Sequence, residues 1–442
     1  MPSRRTILRS FAALSVAGCA PETKVRPDKL HDGASTTDPT SPAVDTGATG
    51  TSPPDTGTPT ETTPPTGPGP EPATAWSPPG TVDDVTFACG VQTGDALPDG
   101  IVVHVRQTGE PVLDLALAVG VDGGWQEVPL DAVGLVPDEG VVRAEITGLL
   151  PDHTYSVVAY TADHSRRSLV ARFRTALAPG DQRVIRFGAT SCLGSLGAPW
   201  RSMSRVAQDP AKLDFFLLLG DTIYADEGLE PAGDWEGHWS EALAIDGLRD
   251  ITAATSVVAT WDDHEVDNDF LVWEEPDEVA AGLSAFLRAV PQRPGPNGLL
   301  WRKVSWGDAV DLFVLDCRGE RSPGAYLSDA QRDWLERELL ASTARFKVIL
   351  NSVPITNMDD LLFGVANSDG WMDYEDDRDR ILDHIADNGI TGVLWVSGDV
   401  HWGAIATVDL PGSGRPDQIE VICGPAGSLV NPVWPPRTAG AT

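Results

Sequence analysis

Phe215-Phe216-Leu217-Leu218-Leu219-Gly220-Asp221-Thr222-Ile223-Tyr224 is the stretch that decides the fold. Five consecutive apolar residues make a run of strand length with no polar face, as expected of a strand buried on both sides. The chain then turns at a glycine and presents a carboxylate. Runs of the same kind recur through the second half of the chain, at 184–189, 256–260, 310–315, 346–350 and 393–396. Helical stretches lie between some of them. Ser328 and Gln331 have the spacing of a capping box ahead of Trp334, Leu335 and Leu339. Ile381, Leu382 and Ile385 mark another helix, with Gly389 as its stop. Strand–helix–strand alternation predicts a layered α/β domain over 179–442.

Upstream the pattern changes. Short apolar runs at 101–105, 112–119, 141–146, 155–160 and 170–173 are separated by Gly, Pro and Asp, which predicts a β-sandwich over 79–178. Gly148-Leu149-Leu150-Pro151-Asp152-His153-Thr154-Tyr155 resembles the tyrosine corner of a fibronectin type III-like module. No catalytic cluster is visible there, so a structural or substrate-flanking module is expected. Residues 20–78 are dominated by Thr, Pro, Gly, Ser and Asp. Such a segment buries too little apolar surface to offset its ordering entropy, and it reads as a semi-extended linker.

The first nineteen residues read as a targeting signal. Arg4, Arg5 and Arg9 precede an apolar run over 11–16 that is too short to span a bilayer. Ser3-Arg4-Arg5-Thr6-Ile7-Leu8-Arg9 is similar to a twin-arginine export signal, and Val16-Ala17-Gly18-Cys19 resembles a lipobox, with Cys19 as the lipidated residue. Export and lipid anchoring at a bacterial cell envelope are the expectations. Cleavage before Cys19 removes three arginines and no acids, so the formal charge of −33 becomes −36. A chain this acidic, with no Lys/Arg cluster to offer a phosphate-backbone footprint, is a poor partner for nucleic acid and a natural one for divalent cations. Beyond Cys19 there are four cysteines, Cys89, Cys192, Cys317 and Cys423. Export permits disulfides, and four thiols allow three pairings that sequence does not choose among.

The residues just after each buried run are the most informative. The run at 184–189 leads to Thr190-Ser191-Cys192, and the next to Asp221 and Tyr224. The third leads to Trp261-Asp262-Asp263-His264-Glu265-Val266-Asp267-Asn268, the run at 346–350 to Asn351-Ser352-Val353-Pro354, and the last to Ser397-Gly398-Asp399-Val400-His401. Ligand-type side chains thus recur at the carboxyl ends of strands, where α/β folds build their sites. Carboxylates suit a hard cation such as calcium, whereas a thiolate and a phenolate suit a more Lewis-acidic transition metal such as iron. Alone, Cys192 would read as a buried small hydrophobe, Tyr224 as a rim aromatic and His264 as a salt-bridged surface histidine. In sequence order, together, they read as one metal site. His104, His153, His164, His238 and His384 are expected to be structural or exposed, and Cys89, Cys317 and Cys423 to be packing residues. The acid-rich 373–379 stretch lacks EF-hand spacing and reads as a solvated helix start.

In five strings the second half resembles the PhoD-type alkaline phosphatases, within the metallophosphoesterase superfamily that includes purple acid phosphatases. The strings are Arg186-Phe187-Gly188-Ala189-Thr190-Ser191-Cys192, GDTIYAD from Gly220, WDDHEVDND from Trp261, Leu315-Asp316-Cys317-Arg318, and SGDVH from Ser397. The resemblance implies a layered α/β metallophosphoesterase sandwich preceded by an all-β fibronectin type III-like domain. It implies that Cys192, Asp221, Tyr224 and His401 hold Fe³⁺, that Asp221 bridges to Ca²⁺, and that Asp263 and Asp399 complete the calcium side. Asn351 falls where the superfamily often supplies another second-metal ligand, His264 where it places a leaving-group histidine, and Arg318 where the family has an arginine that contacts phosphate. Cys317 departs from the small polar residue expected there, and the segment after Gly424 is shorter than the resemblance implies. The expected activity is hydrolysis of phosphate monoesters or diesters, phospholipids included, by in-line attack of a metal-bound hydroxide in a monomeric enzyme. The rival expectation is a surface calcium-binding adhesion lipoprotein, which has no use for Cys192 and Tyr224. A glycosidase with paired carboxylates is a third, and it needs neither Cys, Tyr nor two His.

Overall fold

The computed structural model describes residues 78–108, 115–121, 124–128, 140–209, 212–226, 233–356, 370–409 and 413–429. The targeting signal, Cys19 and all but the last residue of the expected linker lie outside these residues. The described residues all belong to one compact unit, within 65–442. Among them no helix is long and apolar enough to cross a membrane.

The first part of that unit is all strand: β1 (Thr81–Val82), β2 (Val91–Leu97), β3 (Gly100–Arg106), β4 (Leu115–Val121), β5 (Gly124–Val128), β6 (Val141–Thr147), β7 (Thr154–Thr161), β8 (Arg166–Arg167) and β9 (Ala171–Arg174). One sheet has the order β1-β8-β7-β4-β5, with β9 also on β7. Tyr155 is buried, and its hydroxyl accepts the Leu150 N–H at 2.8 Å, the bond that defines a tyrosine corner.

The second part alternates. Its strands are β10 (Phe187–Thr190), β11 (Phe215–Leu219), β12 (Ser256–Thr260), β13 (Arg302–Trp306), β14 (Val310–Val314), β15 (Phe346–Leu350), β16 (Val393–Ser397), β17 (Ala404–Thr407) and β18 (Ile419–Ile422). Its helices are α1 (Arg201–Ala207), α2 (Trp235–Ala244), α3 (Asp246–Ala254), α4 (Pro276–Ala289), α5 (Asp329–Ala341) and α6 (Glu375–Asp387). A second sheet runs β10-β11-β12-β2-β3-β6 and a third runs β13-β14-β15-β16-β18-β17. Within them β10, β11 and β12 are parallel, as are β14, β15, β16 and β18.

The alternation of side chains along the third sheet explains the layering. Leu312, Val314, Val348, Leu350 and Val396 join one apolar core, shared with β11, β12 and helices α2 to α4. Their neighbours Phe313, Leu315, Ile349 and Trp395 join a second core with Trp334, Leu335, Ile381 and Leu382 of α5 and α6. Two sheets therefore lie face to face, each backed by helices. Ser328 caps α5 by accepting the Gln331 N–H, as its spacing predicts. Gln331 does not close the box; it is buried and exchanges hydrogen bonds with the Asp316 backbone instead. Gly389 follows α6 with φ of 59°, the left-handed stop expected of it.

The all-β part is joined to the α/β part through a shared sheet. Its strands β2, β3 and β6 extend the second sheet, through a parallel pairing of Gly94 with Val257 of β12. A Cβ at Gly94 would lie 1.9 Å from the Pro291 carbonyl oxygen, so only glycine permits this junction. The run at 184–189 begins its strand later than expected, at Phe187, because β11 offers pairing only from Phe215 and Val184 is 68% exposed. No disulfide forms among the described residues: Cys89, Cys192, Cys317 and Cys423 are free thiols.

Candidate metal centre

The parallel strands place their carboxyl ends together, and the loops that leave them converge. Ligand atoms of Cys192, Asp221 and His401 lie within 4.8 Å of one another, as do those of Asp221, Asp263 and His264, and those of Asp262, Asp263 and Asp399. Asp221 belongs to two of these groups and Asp263 to two. The two sheets are tied beside this point by Thr260 Oγ1 donating to the Leu315 carbonyl at 2.6 Å.

The backbone is strained where the ligands are. Cys192 (φ 56°), Asp221 (φ 54°), Asp399 (φ 64°) and His401 (φ 59°) all adopt the left-handed conformation, which costs a non-glycine residue roughly 1–2 kcal/mol. Neighbouring groups hold these turns. Glu265, fully buried, accepts the N–H groups of Asp221 (3.0 Å), Thr222 (2.7 Å) and Asp262 (2.8 Å), so one carboxylate clamps the loops after β11 and β12 together. Gly220 packs so tightly on Asp262 that an added Cβ would lie 2.4 Å from the Asp262 Cβ. The Cys192 carbonyl accepts the N–H groups of Gly427 and Ser428 at 3.1 and 3.0 Å.

The side chains are oriented as ligands. His401 Nδ1 lies 3.1 Å from the Leu429 carbonyl, which accepts its N–H and leaves Nε2 with a lone pair. Tyr224 Oη lies 3.2 Å from that Nε2 and 2.7 Å from Ser428 Oγ. The Tyr224 ring stacks on the His264 ring, centroids 4.1 Å apart. His264 Nδ1 is engaged by both carboxylate oxygens of Asp226 at 2.8 and 2.9 Å, and a ring nitrogen of His264 lies within 4.8 Å of carboxylate oxygens of Asp221 and Asp263. The two oxygens of Asp263 accept one N–H each, from His264 (3.0 Å) and from Asp269 (2.8 Å).

Two of the expected residues sit differently from a simple ligand shell. The Asn351 Oδ1 already accepts the Cys317 thiol and the Trp371 indole N–H, each at 3.0 Å, which occupies both of its lone pairs. The structure therefore does not present it as an oxygen ligand, and Cys317 is one of the donors that hold it. Arg318 is fully buried; its Nε donates to Asp262, and its NH2 lies 3.6 Å from Asp263 and 4.0 Å from Asp399. It counters the acid cluster from within. Asp226, Asp262, Glu265 and Ser428 carry parts of this arrangement that sequence reasoning gave no role. The first three stood inside strings already singled out; Ser428 carried no signal.

The electrostatics call for a cation. Burial, reinforced by neighbouring carboxylates, pushes the Asp221 carboxyl, the Cys192 thiol and the Tyr224 phenol well above their ordinary pKa values. Burial alone would discharge His264, but Asp221, Asp263 and Asp226 outweigh it and raise its pKa. Asp263 keeps its charge despite burial, because Arg318 and His264 face it. Asp221 Oδ1 is buried without a hydrogen-bond partner among the described residues. Several groups that ionise only at a cost, around an unsatisfied carboxylate oxygen, fit a metal ion as the missing counter-charge.

A sequence model of PhoD-like phosphatases matches residues 187–432, more than half of the chain. The chain belongs to that family. All the converging ligand-type residues lie within the matched stretch. The chain is 25% identical over 391 residues to alkaline phosphatase D of Bacillus subtilis (strain 168), covering 73% of this chain and 66% of that protein, just under two-thirds of its length. Its fold is similar to a solved structure of PhoD, with a TM-score of 0.68 at 23% identity over 78% of each chain. It is also similar to purple acid phosphatase PPD1 from yellow lupin (Lupinus luteus) seeds. There the TM-score is 0.56 at 15% identity, over 79% of this chain and 66% of that one. Both likenesses assign a metallophosphoesterase-like fold with mixed sheets.

Proposed function

We propose that this protein is a metal-dependent phosphoester hydrolase. The observation that carries the reading is the convergence of Cys192, Asp221, Asp263, Asp399 and His401 from different strand ends on one buried point. Cys192, Asp221, Tyr224 and His401 would hold the stronger Lewis acid, Fe³⁺ by the chemistry of its thiolate and phenolate donors. Asp221, Asp263 and Asp399, all oxygen donors, would hold Ca²⁺. Bound ions supply Lewis acidity: they neutralise phosphate oxygens and make water acidic enough to act as nucleophile near neutral pH.

The chain's own residues do the rest. Asp226 fixes the His264 ring by its Nδ1 edge and keeps a proton there, so the opposite nitrogen is aimed at the site to donate a proton to the departing alkoxide. Arg318 sets a fixed positive charge against Asp262 and Asp263 and so positions both carboxylates. Ser428 and Leu429 bring the chain back over the centre and set Tyr224 and His401. The 79–178 region is read as a fibronectin type III-like module, supported by the Tyr155 corner. Export by a twin-arginine signal and anchoring through Cys19 complete the proposal, and monomeric behaviour is expected. Cys19→Ala should then release the protein from membranes or block its maturation. A panel of phosphate monoesters, diesters and phospholipids, assayed with and without added Ca²⁺, tests the reaction itself. Turnover of at least one class, lost on chelation and restored better by Ca²⁺ than by Mg²⁺, is expected. No turnover of any class by metal-loaded protein would remove the reading.

A further inference from the structure

The carboxyl ends of β10, β11 and β12 carry the metal centre; their opposite ends carry a pocket of quite different charge. It has a volume of about 410 Å³ and is lined by Arg172, Arg174, Arg183, Arg186 and Lys212, with Asp214 as the acid among them. Five of the chain's 32 lysines and arginines therefore gather at one cavity of a protein whose formal charge is −33. They are scattered over forty-one sequence positions and only the fold collects them: Arg172 and Arg174 from β9, Arg183 and Arg186 from the approach to β10, and Lys212 from the approach to β11.

The cations divide into two sets. Arg183 is held in place by Asp152 and Asp214, at 2.7 Å each, and Arg174 by Asp152 at 2.7 Å. Asp214 also accepts the Arg186 N–H at 2.8 Å, which pins the pocket wall. Arg172, Arg186 and Lys212 are exposed, and their side chains have no hydrogen-bond or ion-pair partner among the described residues. Asp152 and Asp214 thus hold Arg174 and Arg183, and three further cations of the lining have no partner among the described residues. Like charges gathered at one pocket repel each other, and an anion bound there would relieve that repulsion.

The geometry points to a phosphate-recognition site here, separate from the metal centre. Guanidinium groups in such an array match phosphate oxygens in charge and in hydrogen-bond geometry. The strands between the two sites are four or five residues long, so the pocket lies roughly 15 Å from the metal centre and cannot serve the same phosphate. It holds either free phosphate, the expected product, or the headgroup of an anionic lipid beneath an envelope-anchored chain. Both present the same chemistry to the arginines.

Two arms separate these sources, using the metal-loaded full chain with Cys19→Ser so that no lipid anchor contributes. In the first, equilibrium dialysis with radiolabelled inorganic phosphate counts sites. In the second, the protein is sedimented with phosphatidylglycerol or phosphatidylcholine vesicles. The test variant combines Arg172→Gln, Arg186→Gln and Lys212→Gln, all exposed positions outside the metal centre, and should keep wild-type hydrolysis of a monoester. A fall from two bound phosphates per chain to one supports a free-phosphate site. Retention on phosphatidylglycerol alone, weakened at least tenfold in the variant, supports a headgroup site. In either case Arg172→Lys with Arg186→Lys, which keeps the charge but loses the planar guanidinium fork, should weaken binding less than the triple variant does. If the triple variant matches the wild type in both arms, the site does not exist.

Discussion

At the scale of single residues, Tyr224 and Cys192 are the choices that calcium alone cannot explain. Calcium takes oxygen donors and has little use for a thiolate. A phenolate on Fe³⁺ should colour the concentrated protein. Tyr224→Phe removes the donor oxygen while keeping the ring stacked on His264, so the visible band should bleach or shift with the far-UV spectrum unchanged. A visible spectrum identical to that of a coloured wild type would remove Tyr224 from the metal. His264 belongs to the proton side of the reaction. His264→Ala should lower kcat by about 10²–10⁴-fold, and Asp226→Asn, which keeps the shape but loses the anionic partner, by about 10–100-fold. Equal, small losses in both would show that the dyad is structural. Cys192, Asp221, Tyr224, His264 and His401 were legible in the sequence because each follows a strand in a recognisable string. The Asn351 orientation was not legible, since it depends on Trp371 and Cys317, which contact it only after folding.

At the scale of elements, the strands that the sequence declares are those built mainly of apolar residues. The 215–219, 256–260 and 346–350 runs match β11, β12 and β15 residue for residue. β2, with the sequence Val-Gln-Thr-Gly-Asp-Ala-Leu, gives no such signal, yet it is buried throughout most of its length. Its polarity is matched by tertiary partners: Asp95 pairs with Arg302 of β13 at 2.8 Å in the interior. Local pattern cannot anticipate a counter-charge so far along the chain. Glu265 raises the same issue at the site, as a buried acid whose partners are backbone N–H groups of two loops. Burial raises its pKa to about 7, yet its hydrogen bonds need an acceptor. Glu265→Gln replaces one acceptor oxygen by an NH₂ donor facing those N–H groups, so Asp221 and Asp262 should be held less firmly. Metal retention in dialysis should weaken by about 10–100-fold with secondary structure intact. Unchanged retention would mean that Gly220 and the surrounding packing set the loop without it.

At the scale of the whole molecule, the all-β part and the α/β part share a sheet, and their seam is polar. His104 of β3 lies fully buried in that seam, beside Arg143 of β6 and Arg106 of its own strand, and against the end of α4. Burial, with Arg143 adding repulsion, lowers its pKa from 6.5 to about 3. Between those values it is neutral when folded and protonated when unfolded, so unfolding takes up a proton. Stability should therefore fall as the pH drops from about 6.5 toward 3, by an amount on the order of a few kcal/mol. His104→Gln should flatten this part of the stability profile relative to wild type, in denaturant titrations run at several pH values. An unchanged slope would mean the seam opens to water or relaxes around the charged ring. The acidic composition pointed toward a cation partner but gave no hint that five of the 32 basic residues would gather at the far end of the sheet.

The most direct test of the metal-centred reading is phosphate release from a monoester by the purified full chain, measured before and after metal removal with iron and calcium content determined on the same samples. Activity that tracks bound metal, disappears on its removal, and cannot be restored in Asp221→Asn is the predicted result. Undiminished phosphate release from a protein shown to be free of both metals would contradict it.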